Sequence, residues 1–389
     1  MGFFKAEGLI SGWVGKIRNN TYFRITRQST LKFQSLNKVL ILNRRDILNP
    51  NGGGAEKYTF EIAKALLENG FSVDWFCSKF KNSKEEEIYE NIKFIRRGNE
   101  FSVHFYGLIY AIKNYKNYSL IIDEFNGIGF FTFFLKNSIL LIHQLYNEFW
   151  TYEMGKFFFF MKYVEKFLLW LYRKKLTITV SNSTYEDLIK IGFNNVHIAP
   201  NGINQINLDC QKNEILTLCF LGRLRKTKNP EDAIKIFLKV KEFISSAKMI
   251  IIGGGPLENY LKNKYKNFKD IEFLGYLNEE EKYKNLCKCH FLIVPSIREG
   301  WGIVVIEANM FGIPVIGYDV KGLRDSIKNG LNGFLVKNVD SAVKKIIEIW
   351  NDKNFYYQLS ISSKEYARNF SWKKTREEFI KCLNRNLKN

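Results

Sequence analysis

Apolar residues in this chain arrive in two rhythms that alternate almost from end to end. Residues 38–43 are nearly all apolar and read as a buried strand, residues 55–69 repeat apolar positions at helical spacing, and residues 71–77 return to a strand-like run. Three more short apolar runs follow, at residues 120–123, 139–143 and 176–180. The second half repeats the plan, with runs at 216–221, 249–252, 271–274, 291–294, 314–316 and 334–336 separated by helical patterns. Repeated βα units predict an α/β protein with mostly parallel sheets covered on both faces. A chain of 389 residues is long for one core and suits two such units. The polar stretch between Ile203 and Glu214, after Pro200-Asn201-Gly202, is the natural boundary. The expectation is a first domain over 37–205 and a second over 206–365, two doubly wound domains facing each other. Ligands of such sheets sit at the carboxyl ends of the strands, so the cleft between the domains is the expected site.

Composition narrows the class without naming a function. Hydrophobic residues make up 46% and charged residues 25%, which excludes a disordered or fibrous chain. The formal charge of +20 calls for anionic partners or an anionic surface. That excess is spread over both halves rather than gathered in a stripe or a known reading module, so nucleic acid is not expected. Six scattered cysteines, Cys77, Cys210, Cys219, Cys287, Cys289 and Cys382, suit a reducing, cytoplasmic compartment. Residues 2–14 carry Lys5 and Glu7 inside their apolar stretch, and no apolar run reaches 18 residues; neither a signal peptide nor a transmembrane helix is expected.

Three segments carry candidate chemistry. After the run at 291–294, Arg298-Glu299-Gly300-Trp301-Gly302 leads into a helix opening near Gly302, whose first N–H groups can face an anion. Glu299 precedes that helix, and Glu307 lies on it about 7.5 Å further along the axis. One carboxylate could take a sugar hydroxyl and the other a ribose diol. After the run at 216–221, Gly222-Arg223-Leu224-Arg225-Lys226-Thr227-Lys228 places Arg223 and Lys228 where cations would neutralise a pyrophosphate. Gly52, Gly53 and Gly54, between the first strand and first helix, permit close backbone approach to a phosphate. The segment lacks the Gly-Lys-Ser/Thr of a Walker loop and does not match G-x-G-x-x-G.

Together these segments resemble the retaining glycosyltransferases of family 4, which have the GT-B fold, over roughly residues 37–380. The resemblance rests on Gly53 to Glu56, on His143 ending a strand, and on Val180-Ser181-Asn182-Ser183, Pro200-Asn201-Gly202 and Gly222-Arg223 with Lys228. Gly253-Gly254-Gly255-Pro256, Phe273-Leu274-Gly275, Pro295-Ser296 with Glu299 and Glu307, and Gly312-Ile313-Pro314-Val315-Ile316 complete it. It implies transfer of a hexose-type sugar from a UDP- or GDP-linked donor to a glycan or lipid-linked saccharide, without metal or other cofactor. Arg223 and Lys228 would hold the diphosphate, Glu299 the donor sugar, Glu307 the ribose, and His143 would sit beside the transferring sugar. Gly53, Gly54, Gly302 and the amides of Ile303 and Val304 would complete the phosphate cradle. A C-terminal helix within 366–389 would pack back on the first domain. Other readings are a GT-B sugar phosphorylase or nucleotide-sugar epimerase, or an inactive scaffold that binds nucleotide sugar.

One segment departs from that pattern, and another, where the family also has a helix, is open to two readings. Where the family commonly has Ala-Asp, this chain has Cys289-His290, preceded by Cys287; with no second Cys/His pair nearby in sequence, packing is expected over metal ligation. Residues 156–175 form an apolar helix with a narrow polar stripe of Lys162, Glu165, Lys166 and Arg173, flanked by Lys156, Lys174 and Lys175. It reads either as a core helix or as a surface for anionic headgroups at the cytoplasmic membrane face. The leader over 1–36, with Phe3, Phe4, Trp13, Lys16, Arg18, Arg24 and Arg27, could extend such a surface.

Overall fold

The computed structural model describes residues 37–206, 208 and 211–386, so the leader over 1–36 and Cys210 lie outside the described residues. The first unit runs β1 (Lys38–Leu42), α1 (Gly54–Glu68), β2 (Ser72–Cys77), β3 (Glu86–Tyr89), β4 (Ile92–Arg96) and α2 (Val103–Asn114). It continues with β5 (Leu120–Glu124), β6 (Ser138–Ile142), α3 (Glu148–Met154), α4 (Met161–Tyr172), β7 (Thr177–Thr179), α5 (Asn182–Ile191) and β8 (Val196–Ile198). Its eight strands are ordered β3-β4-β2-β1-β5-β6-β7-β8 and are parallel except at the β3–β4 hairpin. β1 and β2 pair with Ile41 opposite Trp75, and every residue of β1 after Lys38 is buried.

The second unit runs β9 (Thr217–Leu221), α6 (Pro230–Phe243), β10 (Lys248–Ile252), α7 (Glu258–Lys264), β11 (Ile271–Gly275), α8 (Glu279–Leu286) and β12 (Phe291–Val294). It closes with α9 (Ile303–Asn309), β13 (Val315–Tyr318), α10 (Leu323–Ser326), β14 (Gly333–Val336), α11 (Val339–Asn351) and α12 (Lys353–Ala367). Its six strands, ordered β11-β10-β9-β12-β13-β14, are all parallel. Both sheets reverse their winding once, between β1 and β5 and between β9 and β12. These are the switch points at which doubly wound sheets open a crevice.

α13 (Trp372–Asn386) returns to the first unit: Arg376 meets Glu61 at 2.6 Å, and Trp372 packs edge-on to Tyr58. Its approach explains Pro200-Asn201-Gly202. A Cβ on Gly202 would lie 2.4 Å from the Ser371 carbonyl carbon, and Thr375 Oγ1 donates to the Pro200 carbonyl at 2.8 Å.

Three strands escaped the apolar pattern. β3 and β8 have no buried residue, and β4 ends in Arg96, a fully buried cation paired with Asp46 at 2.6 Å. The helix at 156–175 is a 3₁₀ turn, Lys156–Phe160, followed by α4, and the stripe reading needs correction at Glu165. That carboxylate is fully buried and accepts from the Tyr146 and Asn147 amides and from Trp150 Nε1, at 2.6, 2.9 and 3.1 Å. α4 packs one face into the core, through Leu169 and Tyr172, and leaves the other open. Tyr163 and Phe167 are each 59% exposed and Trp170 45%. Cys287, Cys289 and His290 are buried, and His290 Nδ1 accepts from the Thr217 amide at 3.0 Å. Among the described residues no cluster of His, Cys, Asp or Glu could hold a metal, and no helix is long and apolar enough to cross a membrane.

Replacing Gly202 with Ala should cost about 1–3 kcal/mol, the usual range for forced overpacking, and loosen α13. Urea unfolding and limited proteolysis check this; a variant with unchanged midpoint and unchanged cleavage would show that the backbone contact is not limiting.

Candidate active site

Each side of the cleft is built by the loops leaving one switch point. In the second unit, β9 delivers Gly222, Arg223 and, through the 3₁₀ turn Lys226–Lys228, Lys228; β12 delivers Ser296 and Glu299. The two loops are joined where the Ile297 amide donates to the Thr227 carbonyl at 2.9 Å. Lys228 Nζ then lies 2.5 Å from both oxygens of Glu299, and Ser296 Oγ donates to Oε1 at 2.7 Å. Glu299 is only 8% exposed, so its charge is held by these partners. Burial pulls the Lys228 ammonium below its usual pKa, opposed by Glu299. Gly322, at φ 84°, closes the turn behind Glu299, whose carbonyl would lie 2.2 Å from any Cβ there.

α9 starts at Ile303 after Gly302, which has φ 94° and no side-chain cap. The amides of Ile303 and Val304, as first-turn groups, have no partner within the helix. The glycine loop of the first unit lies directly opposite: a Cβ on Gly54 would come 3.2 Å from Ile303 Cδ1. Gly53 N–H donates to Glu56 at 2.7 Å and fixes that loop at the start of α1. Glu307, further along α9, receives Lys282 Nζ at 2.7 Å and the Tyr283 hydroxyl at 3.2 Å, both on its Oε1.

In the first unit His143 follows β6, and its Nε2 is 3.2 Å from Glu124 Oε1 at the end of β5. Glu124 is fully buried and also accepts from Asn43 Nδ2 at 2.7 Å, Thr59 Oγ1 at 2.5 Å and Asn126 Nδ2 at 3.3 Å. A carboxylate on Nε2 favours the tautomer protonated there, which leaves Nδ1 as an acceptor. The Tyr58 ring holds the imidazole edge-on at 5.1 Å.

The two halves meet closely. Arg223 Nη2 donates to the carbonyls of Asn51 and Gly52, at 2.8 and 3.1 Å. A Cβ on Gly300 would sit 2.9 Å from the His143 carbonyl oxygen, so the Glu299 loop and the His143 loop are in contact across the cleft. Asp187 on α5 binds Arg298 at 3.0 Å and also Lys321, and the Ser183 amide donates to Asp325 at 3.1 Å.

The structure thus gathers His143, Arg223, Lys228, Glu299, Gly53, Gly54, Gly302, Ile303 and Val304 around one cleft, with Glu307 one helical stretch behind. Sequence reasoning missed Glu124, Asn43, Lys282 and Tyr283. Glu124 left a trace, as the second of two carboxylates closing an apolar run; Lys282 and Tyr283 sit in a charged helix with no distinguishing pattern.

Replacing Glu124 with Ala would strand buried donors at about 1–3 kcal/mol for each unsatisfied group. A large loss of stability is expected for Glu124→Ala in denaturant titration, and a much smaller one for Glu124→Gln, which keeps an acceptor. Equal losses would show that the carboxylate, not its acceptor geometry, carries the network.

The family model "Glycosyl transferases group 1" matches residues 205–369, and "Glycosyltransferase Family 4" matches residues 52–205. An uncharacterized glycosyltransferase from Methanocaldococcus jannaschii is 30% identical over 234 residues, 54% of this chain and 60% of its own length. From Campylobacter jejuni, the alpha-1,4-N-acetyl-D-galactosaminyltransferase for GalNAc-alpha-(1->4)-GalNAc-alpha-(1->3)-diNAcBac-PP-undecaprenol is 26% identical over 358 residues, 86% of this chain and 95% of its own. Sucrose-phosphate synthase from Thermosynechococcus elongatus has a TM-score of 0.74 at 20% identity, covering 90% of this chain and 98% of that one, a likeness of fold alone.

Proposed function

The chain belongs to the family 4, group 1 glycosyltransferases of GT-B fold, and from that premise we propose that it is a retaining, metal-independent hexosyltransferase using a UDP- or GDP-linked donor and a lipid-linked saccharide acceptor. The observation that carries this reading is the convergence of Arg223, Lys228 and Glu299 from the β9/β12 switch point with His143 from the end of β6. Arg223 and Lys228 neutralise the diphosphate as the bond from the anomeric carbon to the phosphate oxygen breaks. The first-turn amides of α9 and the glycine loop add donors to the same phosphates. Glu299 takes hydroxyls of the donor sugar and Glu307 the ribose diol. The acceptor oxygen attacks the face that the phosphate leaves, and its proton passes to the departing phosphate oxygen, so configuration is retained without an enzyme nucleophile. His143, oriented by Glu124, lies beside that sugar.

A membrane-face location is supported by the surface of the first unit. Phe101 and Phe105, around the start of α2, are 82% and 62% exposed, and Phe134 is 53% exposed. Tyr163, Phe167 and Trp170 on α4 are exposed as well. Exposed aromatic residues suit an interaction surface, and the charge of +20 suits an anionic bilayer. The C. jejuni relative is named for a polyprenyl-diphosphate acceptor, which supports the same acceptor class here.

Arg223→Ala and Lys228→Ala each remove a charge-assisted contact of about 1.5–3 kcal/mol, so UDP or GDP affinity by calorimetry should fall tenfold or more. Undiminished affinity in both folded variants would remove the diphosphate assignment. Transfer should persist in excess EDTA, with an anomeric proton coupling in the product that matches the donor. Loss of activity restored only by Mn²⁺, or an inverted product, would require another mechanism.

A further inference from the structure

A second cleft, of about 670 Å³, opens between α4, α5 and the loops of the second unit. Lys162 and Lys166 from α4, Lys190 from α5, and Arg298 and Lys321 from the second unit all line it. One carboxylate shares the wall, Asp187, and it is already engaged by Arg298 and Lys321. Among the described residues, none of Lys162, Lys166 and Lys190 has an acidic partner within 4.0 Å, the limit for an ion pair here. Five cations around one acid concentrate anions, and the concave, lower-dielectric wall strengthens that field.

The remaining lining gives the cleft a direction. Phe167 and Trp170, stacked at 6.3 Å and both exposed, form part of its lining. Leu145, two residues after His143, and Arg298, immediately before Glu299, line it as well. The cleft therefore connects exposed aromatic residues with the loops of the cleft where sugar transfer is assigned.

We propose that this cleft binds the phosphate or diphosphate joining the acceptor's saccharide to its lipid, with Lys162, Lys166 and Lys190 as the contacts. This rests on the lipid-linked acceptor reading and deepens it. The lipid chain leaves over Phe167 and Trp170, and the saccharide extends past Leu145 toward His143. A phosphate carries no stereochemical information about the sugar, so these lysines set reach and register and leave sugar identity to the His143 cleft.

The test begins with binding, which requires no turnover. Farnesyl diphosphate in neutral detergent is titrated into the wild-type protein and into Lys162→Ala/Lys166→Ala/Lys190→Ala, with UDP affinity and thermal melting as controls for folding. A tenfold or greater loss of farnesyl diphosphate affinity in the triple variant, with UDP affinity retained, is expected; equal affinity overturns the proposal. Transfer is then compared between a saccharide on a prenyl diphosphate and the same saccharide on an uncharged alkyl chain. The ratio of the two KM values should shift at least tenfold against the diphosphate acceptor, while kcat at saturation changes little. A defect that appears only with anionic vesicles and vanishes in neutral micelles would assign the lysines to bulk headgroups and overturn the acceptor-phosphate site. Failure of the wild-type protein to hydrolyse or transfer from any nucleotide sugar would strike the enzymatic reading instead, and the binding result would stand apart from it.

Discussion

Lys228 and Glu299 share the floor of the cleft, and neither charge could stay buried there alone. An unpaired ion at such a site costs several kcal/mol even after relaxation, so the loops of β9 and β12 must approach closely enough for the pair to form. Arg223 obeys the same constraint differently. It lies among Arg225 and Arg45, which together with burial lower its pKa, and it spends its N–H groups on the carbonyls of Asn51 and Gly52. The cations assigned to the donor are thus already satisfied by the protein's own oxygens. On the proposed reading a diphosphate would enter by exchange, replacing neutral carbonyls at Arg223 and competing with the Glu299 carboxylate for Lys228.

This arrangement follows from topology. In a doubly wound sheet the loops at a switch point leave in opposite directions, which opens space for ligand and brings residues distant in sequence side by side. β9 and β12 are hydrogen-bonded neighbours, with Leu218 opposite Phe291, although 69 residues lie between Leu221 at the end of β9 and Phe291 at the start of β12. β1 and β5 play the same part in the first unit, setting Asn43 beside Glu124. Glycines mark the places where one unit's backbone meets the other, at Gly300 against the His143 carbonyl and at Gly54 against Ile303.

Legibility of the sequence tracked burial and locality. All six strands of the second sheet were visible because each is a compact apolar run, whereas β4 was hidden by Arg96, whose charge is cancelled by Asp46, 50 residues away. Residues in local motifs, such as Glu299, Glu307, Arg223 and Lys228, could be named in advance. Their partners could not, where the pairing is made by tertiary proximity: Glu124 for His143, Lys282 for Glu307, Asp187 for Arg298. Helical periodicity likewise showed that α4 has a polar stripe, yet could not show that Glu165 faces inward. That orientation depends on three N–H donors from residues 146–150, a demand set by the neighbouring loop and not by α4 itself.

The segment Arg298-Glu299-Gly300 joins the two clefts to which the proposed substrates are assigned. Arg298 reaches to Asp187 in the wall of the lysine-lined cleft, and Glu299, the next residue, reaches to Lys228 on the donor side. Gly300 then rests on the backbone of His143. Three consecutive residues therefore contact the acceptor-side wall, the donor-side cations and the loop between them. A backbone segment held this way has little freedom to adjust one contact without moving the next, because packed interiors transmit displacement instead of absorbing it. On the proposed reading, a group that drew Arg298 away from Asp187 would shift Glu299 relative to Lys228, and a donor that drew Lys228 from Glu299 would relax the segment toward the acceptor side. Coupling between donor and acceptor binding would then follow from the spacing of these side chains and, by linkage, act equally in both directions.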